Sequence, residues 1–157
     1  MRTGPVKKRK IEPDPLFGQV LVTRLVNRVM KAGKKGVAQK LVYSAFEEIK
    51  KKGQEPLKVL EDAVANVSPR MEVRPRRVGG ASYQIPREVR GDRRFSLAIR
   101  WLITAAKNRS SKEFRSFDQK LAAELLDASQ GQGEAIKKRN QIHKMAEANR
   151  AFAHFRW

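Results

Sequence analysis

The sequence predicts a mainly α-helical protein, a six-helix bundle with a two-stranded β-hairpin protruding between helices 3 and 4. Three observations predict it. Apolar residues recur at three- and four-residue spacing in six separate segments. Two extended, proline-bearing runs flank Gly79-Gly80. Most of the helical segments stop at glycine or at Ser-Pro. A length of 157 residues suits one domain. Residues 1–15 are expected to form a basic N-terminal arm, and residues 16–157 a single helical domain with its ribbon at about 71–90.

The arm contains Val6-Lys7-Lys8-Arg9-Lys10 and two prolines, a composition expected to order only on binding. Helix 1 is predicted over Phe17–Ala32, with Leu21, Val22, Leu25, Val26 and Val29 on one face and Arg24, Arg28 and Lys31 opposite. Gly33 is its expected stop, and Gly33-Lys34-Lys35-Gly36 a short basic turn. Helix 2 is predicted from about Lys35 to Lys52, with Val37, Leu41, Ala45 and Ile49 facing inward. Pro56 suits the first turn of helix 3, whose stripe is Leu57, Leu60, Ala63, Val64 and Val67.

A hairpin turning at Gly79-Gly80 pairs Val78 with Ala81, Arg76 with Tyr83, Arg74 with Ile85 and Glu72 with Arg87. One ribbon face then shows Arg74, Arg76, Tyr83, Ile85 and Arg87. Pro75 and Pro86 would each break a ladder inside a larger sheet, so a freestanding ribbon is expected. Such a ribbon is marginal alone and needs packing or a ligand.

Asp92 is the expected cap of helix 4, about Arg93–Arg109, with Leu97, Ala98, Trp101, Leu102 and Ala105 inward and Arg93, Arg100 and Lys107 opposite. Ser110-Ser111-Lys112-Glu113 has capping-box spacing and is expected to open helix 5, which runs to Ser129. Helix 6 is predicted over about Glu134–Phe152. Lys137-Lys138-Arg139 lies in its first turn, where the helix dipole disfavours cations unless an anion compensates.

The formal net charge is +19. Self-repulsion of that size suggests a polyanionic partner. Positive charge falls in three blocks, residues 1–40 (11 basic, 2 acidic), 71–100 (8 against 3) and 131–157 (6 against 2), separated by near-balanced stretches. The absence of cysteine excludes disulfides, thiolate metal sites and a cysteine nucleophile. Apolar runs are too short for a membrane helix, so no membrane association is expected. The protein is expected to be soluble and intracellular.

Catalysis finds no support. His143 and His154 lack ligand spacing and read as exposed or packing histidines. Gly33-Lys34-Lys35-Gly36 lacks the phosphate-loop spacing, and Gly131-Gln132-Gly133 is half of a weak dinucleotide pattern that follows no strand. No cofactor and no metal is expected. Nucleic-acid binding fits better. Two helices carry single-sign basic stripes, which cost stability in isolation, and the ribbon sets planar arginines beside Tyr83. These features do not separate RNA from DNA. An architectural DNA-binding protein remains one alternative, and an RNA-modifying enzyme, which would need an acid–base set or a cofactor loop, another.

The segments GQEPLKVLEDAVANVSPRMEVRPRRVGGASYQIPREV (53–89), RRFSLAIRWL (93–102), LAAELLDA (121–128) and HKMAEANRAFAHFRW (143–157) carry a resemblance. Over about residues 11–157 the chain resembles the bacterial-type family of the seventh protein of the small ribosomal subunit. The resemblance implies a non-catalytic, cytoplasmic constituent of that subunit with a six-helix body and a ribbon. It implies primary binding of 16S rRNA, organisation of the 3′ major domain and nucleation of the subunit head. Small-subunit proteins nine and eleven are the implied neighbours. The implied rRNA contacts are Lys7, Lys8, Arg9 and Lys10, the Lys34-Lys35 turn, Arg74, Arg76 and Arg77, and Arg93, Arg94 and Arg100. The stripe residues Arg24, Arg28, Lys31 and Lys107 join them on charge. Gly79, Gly80, Tyr83, Lys137, Lys138, Arg150, Arg156 and Trp157 are expected to face exit-site tRNA and mRNA near the decoding region. Some members of the family also repress translation of their own operon mRNA, so self-repression is a candidate role.

Overall fold

The computed structural model describes residue 4 and residues 10–155. Lys7, Lys8, Arg9, Arg156 and Trp157 therefore lie outside the described residues. Chain order is α1 (Val20–Val29), α2 (Lys35–Lys51), α3 (Pro56–Val67), β1 (Met71–Val78), β2 (Ala81–Glu88), α4 (Gly91–Asn108), α5 (Phe117–Ser129), α6 (Glu134–Ala148) and a 3₁₀ segment, Arg150–Phe155.

Helix α5 is the axis of the body. It packs on α2, α3 and α4, and residues 121–126 are all buried. Phe117, Leu121, Leu125 and Ala128 pack into the core, and neighbours on several sides also bury Ala122, Ala123, Glu124 and Leu126, while Gln119 stays exposed. Small residues, Ala122, Ala123 and Ala128, permit that crowding.

Helix α1 buries Val22, Leu25, Val26 and Val29 as expected, yet it is shorter than predicted at both ends. Phe17 precedes it in a turn held by Asp14, whose carboxylate accepts from the N–H of Leu16 (3.2 Å) and of Phe17 (3.3 Å) and from the Tyr43 hydroxyl (2.9 Å). The Phe17 ring meets the Tyr43 and Phe46 rings edge-on, 5.5 and 5.1 Å between centroids. Burial and the Asp14 charge raise the Tyr43 hydroxyl above the ordinary tyrosine range. Asp14, placed in the arm by its sequence, is thus 3% exposed and part of the body. At the other end Met30 turns extended and Ala32 adopts φ 49°, so the helix stops before Gly33.

The predicted inward face of α2 holds at Ala45 and Ile49 but not at its N-terminal end. Val37 is 56% exposed, and the buried residues are Ala38, Val42, Ala45, Phe46 and Ile49. Val37, Leu41, Ala45 and Ile49 are spaced by four throughout, and each such step overshoots a full turn by about 40°. Alternating steps of four and three hold a straighter stripe. Helix α3 matches its prediction over Pro56–Val67.

The hairpin pairs Val78 with Ala81, Arg76 with Tyr83, Arg74 with Ile85 and Glu72 with Arg87, as the Gly-Gly turn requires. Gly79 and Gly80 both have positive φ, 57° and 88°, the requirement of the tight hairpin turn that matches strand twist. The ribbon is not freestanding. Its β1 packs on α6 and its β2 on the 3₁₀ segment, which meets the need for support.

Other boundaries move for local reasons. Helix α4 starts at Gly91, so Asp92 sits in its first turn instead of capping it. The capping-box residues do not open α5. The Lys112 N–H is accepted by Ser110 Oγ (3.2 Å) in a turn, and Ser116 occupies the N-cap position. Phe114 lies beneath the Arg109 guanidinium at 5.7 Å, which keeps this loop out of the helix. Helix α6 ends at Ala148, where the Asn149 side chain donates to the Met145 carbonyl at 2.8 Å. Among the described residues no helix is long and apolar enough to cross a membrane.

Candidate nucleic-acid interface

The basic residues are placed by α1 and the turn after it, by α4 and by the ribbon. On α1, Arg28 is exposed and Arg24 half-buried, with Lys31, Lys34 and Lys35 exposed in and beyond the following turn. On α4, Arg93, Arg100 and Lys107 are exposed, and a separation of fourteen residues spreads Arg93 and Lys107 over about 21 Å of helix. Arg94 is half-buried, and its Nε is buried with no hydrogen-bond partner. On the ribbon, Arg74 and Arg77 are exposed and Arg76 half-buried.

One carboxylate joins two of these elements. Glu72 of β1 accepts from Arg74 Nε at 2.8 Å and from Arg93 Nε at 2.7 Å. The base of the ribbon is thereby tied to the first turn of α4, and two arginines of like charge are held at one point. Both keep about half of their side-chain surface in solvent, so they can still reach a partner.

The ribbon face differs from expectation in two respects. Ile85 is 1% exposed and is a core residue. Tyr83 is half-buried, its ring 5.1 Å from Phe152 and 5.5 Å from Phe155, so it braces the ribbon against the 3₁₀ segment and is not a free ring beside the arginines. Gly79 and Gly80 are exposed at the tip, and Arg150 is exposed at the start of the 3₁₀ segment. Lys137 pairs with Glu134 at 2.6 Å, and Lys138 donates to Gln141 at 3.3 Å; both are exposed.

A cleft of about 750 Å³ opens between α1 and α4, with Lys10, Arg24 and Arg28 among its lining and Ile11, Val20 and Ile99 supplying apolar wall. It draws Lys10 and the α1 stripe together beside the Ser96 face of α4.

The network that orients α6 escaped sequence reasoning. Glu124 of α5 is fully buried and accepts from Arg109 Nε (2.7 Å) and from the Ala135 N–H (3.1 Å). Arg109 also pairs with Asp127. Glu124 is therefore an internal anion at the N-terminus of α6, where Lys137-Lys138-Arg139 needed one. Arg139 in turn donates to the Asn66 carbonyl. The available signal was a glutamate inside the apolar run Ala122-Ala123-Glu124-Leu125-Leu126, followed by Gly133.

His143 behaves as a packing histidine. Its Nε2 accepts from the Arg70 N–H at 3.0 Å, and burial, with Arg139 and Arg70 nearby, holds it below the ordinary histidine range. His154 Nδ1 lies 2.8 Å from the Ala151 carbonyl. Among the described residues no group of His, Asp or Glu could hold a metal ion.

Fold and surface define a class: a small helical scaffold with an appended ribbon that presents cations instead of catalytic groups. Comparison with known proteins narrows that class. The family model for ribosomal protein S7p/S5e matches residues 1–150, and the chain belongs to this family, whose members are structural and not enzymes. The chain is 57% identical to the small ribosomal subunit protein uS7 of Caldicellulosiruptor saccharolyticus and 56% identical to that of Carboxydothermus hydrogenoformans. It is likewise 56% identical to that of Rhodopseudomonas palustris; each alignment covers 99% of both chains. The mainly α fold with a hairpin between α3 and α4 agrees with the resemblance noted from the sequence.

Proposed function

We propose that the protein is a structural constituent of the small ribosomal subunit in the cytoplasm that binds 16S rRNA directly, organises its 3′ major domain and nucleates assembly of the head. Family membership supports the ribosomal role. The observation that carries direct RNA binding is the Glu72 joint, which aligns the arginines of the ribbon with the basic stripe of α4. Phosphate contacts from Arg24, Arg28, Lys31, Lys34 and Lys35 on one side, and from Arg93, Arg94, Arg100 and Lys107 on the other, would release counterions and fix position. Ribbon arginines Arg74, Arg76 and Arg77 would follow RNA shape at a helical junction. The ribbon tip and the C-terminal residues, with Lys137, Lys138 and Arg150, would face exit-site tRNA and mRNA. Proteins nine and eleven of the subunit would be neighbours, and operon mRNA a second ligand for self-repression.

The test is competition between a transcript of the 3′ major domain and duplex DNA at physiological salt. Preference for the transcript is expected, with footprints confined to it. Equal affinity would return the architectural DNA-binding reading. Replacing Arg100 and Lys107 with alanine should reduce the slope of log affinity against log salt by about 0.7–0.9 per lost contact, leaving helicity unchanged.

A further inference from the structure

The cleft between α1 and α4 carries apolar surface that phosphate binding does not explain. Ile11 is 40% exposed and Val20 is 38% exposed, and both wall the cleft together with Ile99. Arg24, Arg28 and Lys10 share the lining. A fully paired helix offers a convex row of phosphates, which those cations could meet without any concavity. Its base faces are stacked out of reach of Ile11 and Val20. A volume of about 750 Å³ lies within the range of sites that enclose a small organic molecule. An unpaired nucleotide has both halves of the chemistry: a flat apolar face and a phosphate at either side.

We infer that this cleft seats one unpaired nucleotide of the bound RNA, with its base against Ile11, Val20 and Ile99 and its flanking phosphates on Lys10, Arg24 and Arg28. Asn27, Ser96 and Asp92, also in the lining, supply polar groups for a base edge or a ribose hydroxyl. The inference rests on the proposal that the chain binds rRNA, and it adds how one position is read. Positioning by cations alone is indifferent to pairing. An apolar seat makes binding depend on a base that is free to leave its stack.

The test uses a transcript of the 3′ major domain and a fully paired RNA duplex as probes, with the full chain throughout. Ile11→Ser with Val20→Ser removes apolar wall from two exposed positions and keeps every cation. The double variant is expected to bind the transcript about tenfold more weakly, the loss of one well-seated base, with its salt slope and its affinity for the duplex unchanged. One nucleotide shielded from base-modifying reagents by the parent protein should become reactive. Ser96→Trp, at an exposed position of α4, fills the same space without touching the core and should reproduce both effects. If both variants bind the transcript as the parent does and keep every protection, the nucleotide seat is wrong while rRNA binding stands. If the parent itself shows no preference for the transcript, the rRNA proposal fails and takes the seat with it.

Discussion

Arg109, which follows the last turn of α4, donates through Nε to the fully buried carboxylate of Glu124 at 2.7 Å. The other oxygen of that carboxylate accepts from the first turn of α6. One acid thus ties the end of α4 and the start of α6 to the middle of α5. Removing one partner of a buried pair leaves the other charge desolvated and unmatched. Glu124→Ala should lower unfolding free energy by about 3–5 kcal/mol in urea titrations. Asp127→Ala, at a more exposed position, should cost clearly less.

Gly133 serves the same junction through space. Its φ is 93°, and a Cβ there would stand 2.9 Å from Glu124 Oε1 and 3.4 Å from Asp127 Cβ. Gly133→Ala should destabilise by more than about 1 kcal/mol through backbone strain and displacement of the carboxylate. Gly36→Ala, in the first turn of α2 with nothing within 4 Å of the new methyl, is the control. It should be neutral or stabilising by up to about 1 kcal/mol. Thermal melts of the pair check the contrast.

The Tyr83–Phe152–Phe155 cluster should hold the ribbon without holding the body. Phe152→Ala is expected to raise amide exchange across residues 71–88, because a two-stranded ribbon is marginal by itself. Exchange in α3 and α5 should stay as it was. Equal acceleration in all elements would mean that the 3₁₀ segment supports the whole fold.

His143 makes stability depend on pH. Its acceptor bond from the Arg70 N–H needs a neutral ring, and burial with Arg139 and Arg70 depresses its folded value below the ordinary 6.5. Unfolding therefore takes up a proton once pH falls below about 6.5. The contribution is fully present above that value and is lost as pH falls through the folded value. Asp118, lowered from 3.8, acts only in more acidic solution. Urea midpoints should fall between pH 7 and pH 5, and His143→Gln should flatten that decline.

Much of this was legible in the residues. The hairpin register follows from two glycines and strict alternation, and α3 from a proline and an unbroken stripe. Boundaries failed where tertiary contacts outweigh local preference. Ser110 to Glu113 spell a helix start, but Arg109 and Phe114 hold that loop elsewhere. The face of α2 failed at Val37, though not at Ala45 and Ile49, because spacing by four looks helical while drifting around the axis. The basic stripes were readable as charge, whereas the cleft between α1 and α4 exists only when two helices distant in sequence meet. Glu124 was hidden because its partners lie fifteen residues before and eleven after it.

The central position of α5 also orders events in time. The helix against which α2, α3 and α4 pack begins only at Phe117. A nascent chain that has emerged through α4 carries most of its apolar stripes without the helix on which three of them pack, alongside a large surplus of positive charge. At roughly 5–20 residues per second that interval lasts for seconds. The contacts of α2, α3 and α4 with α5 form only when the segment to Ser129 arrives.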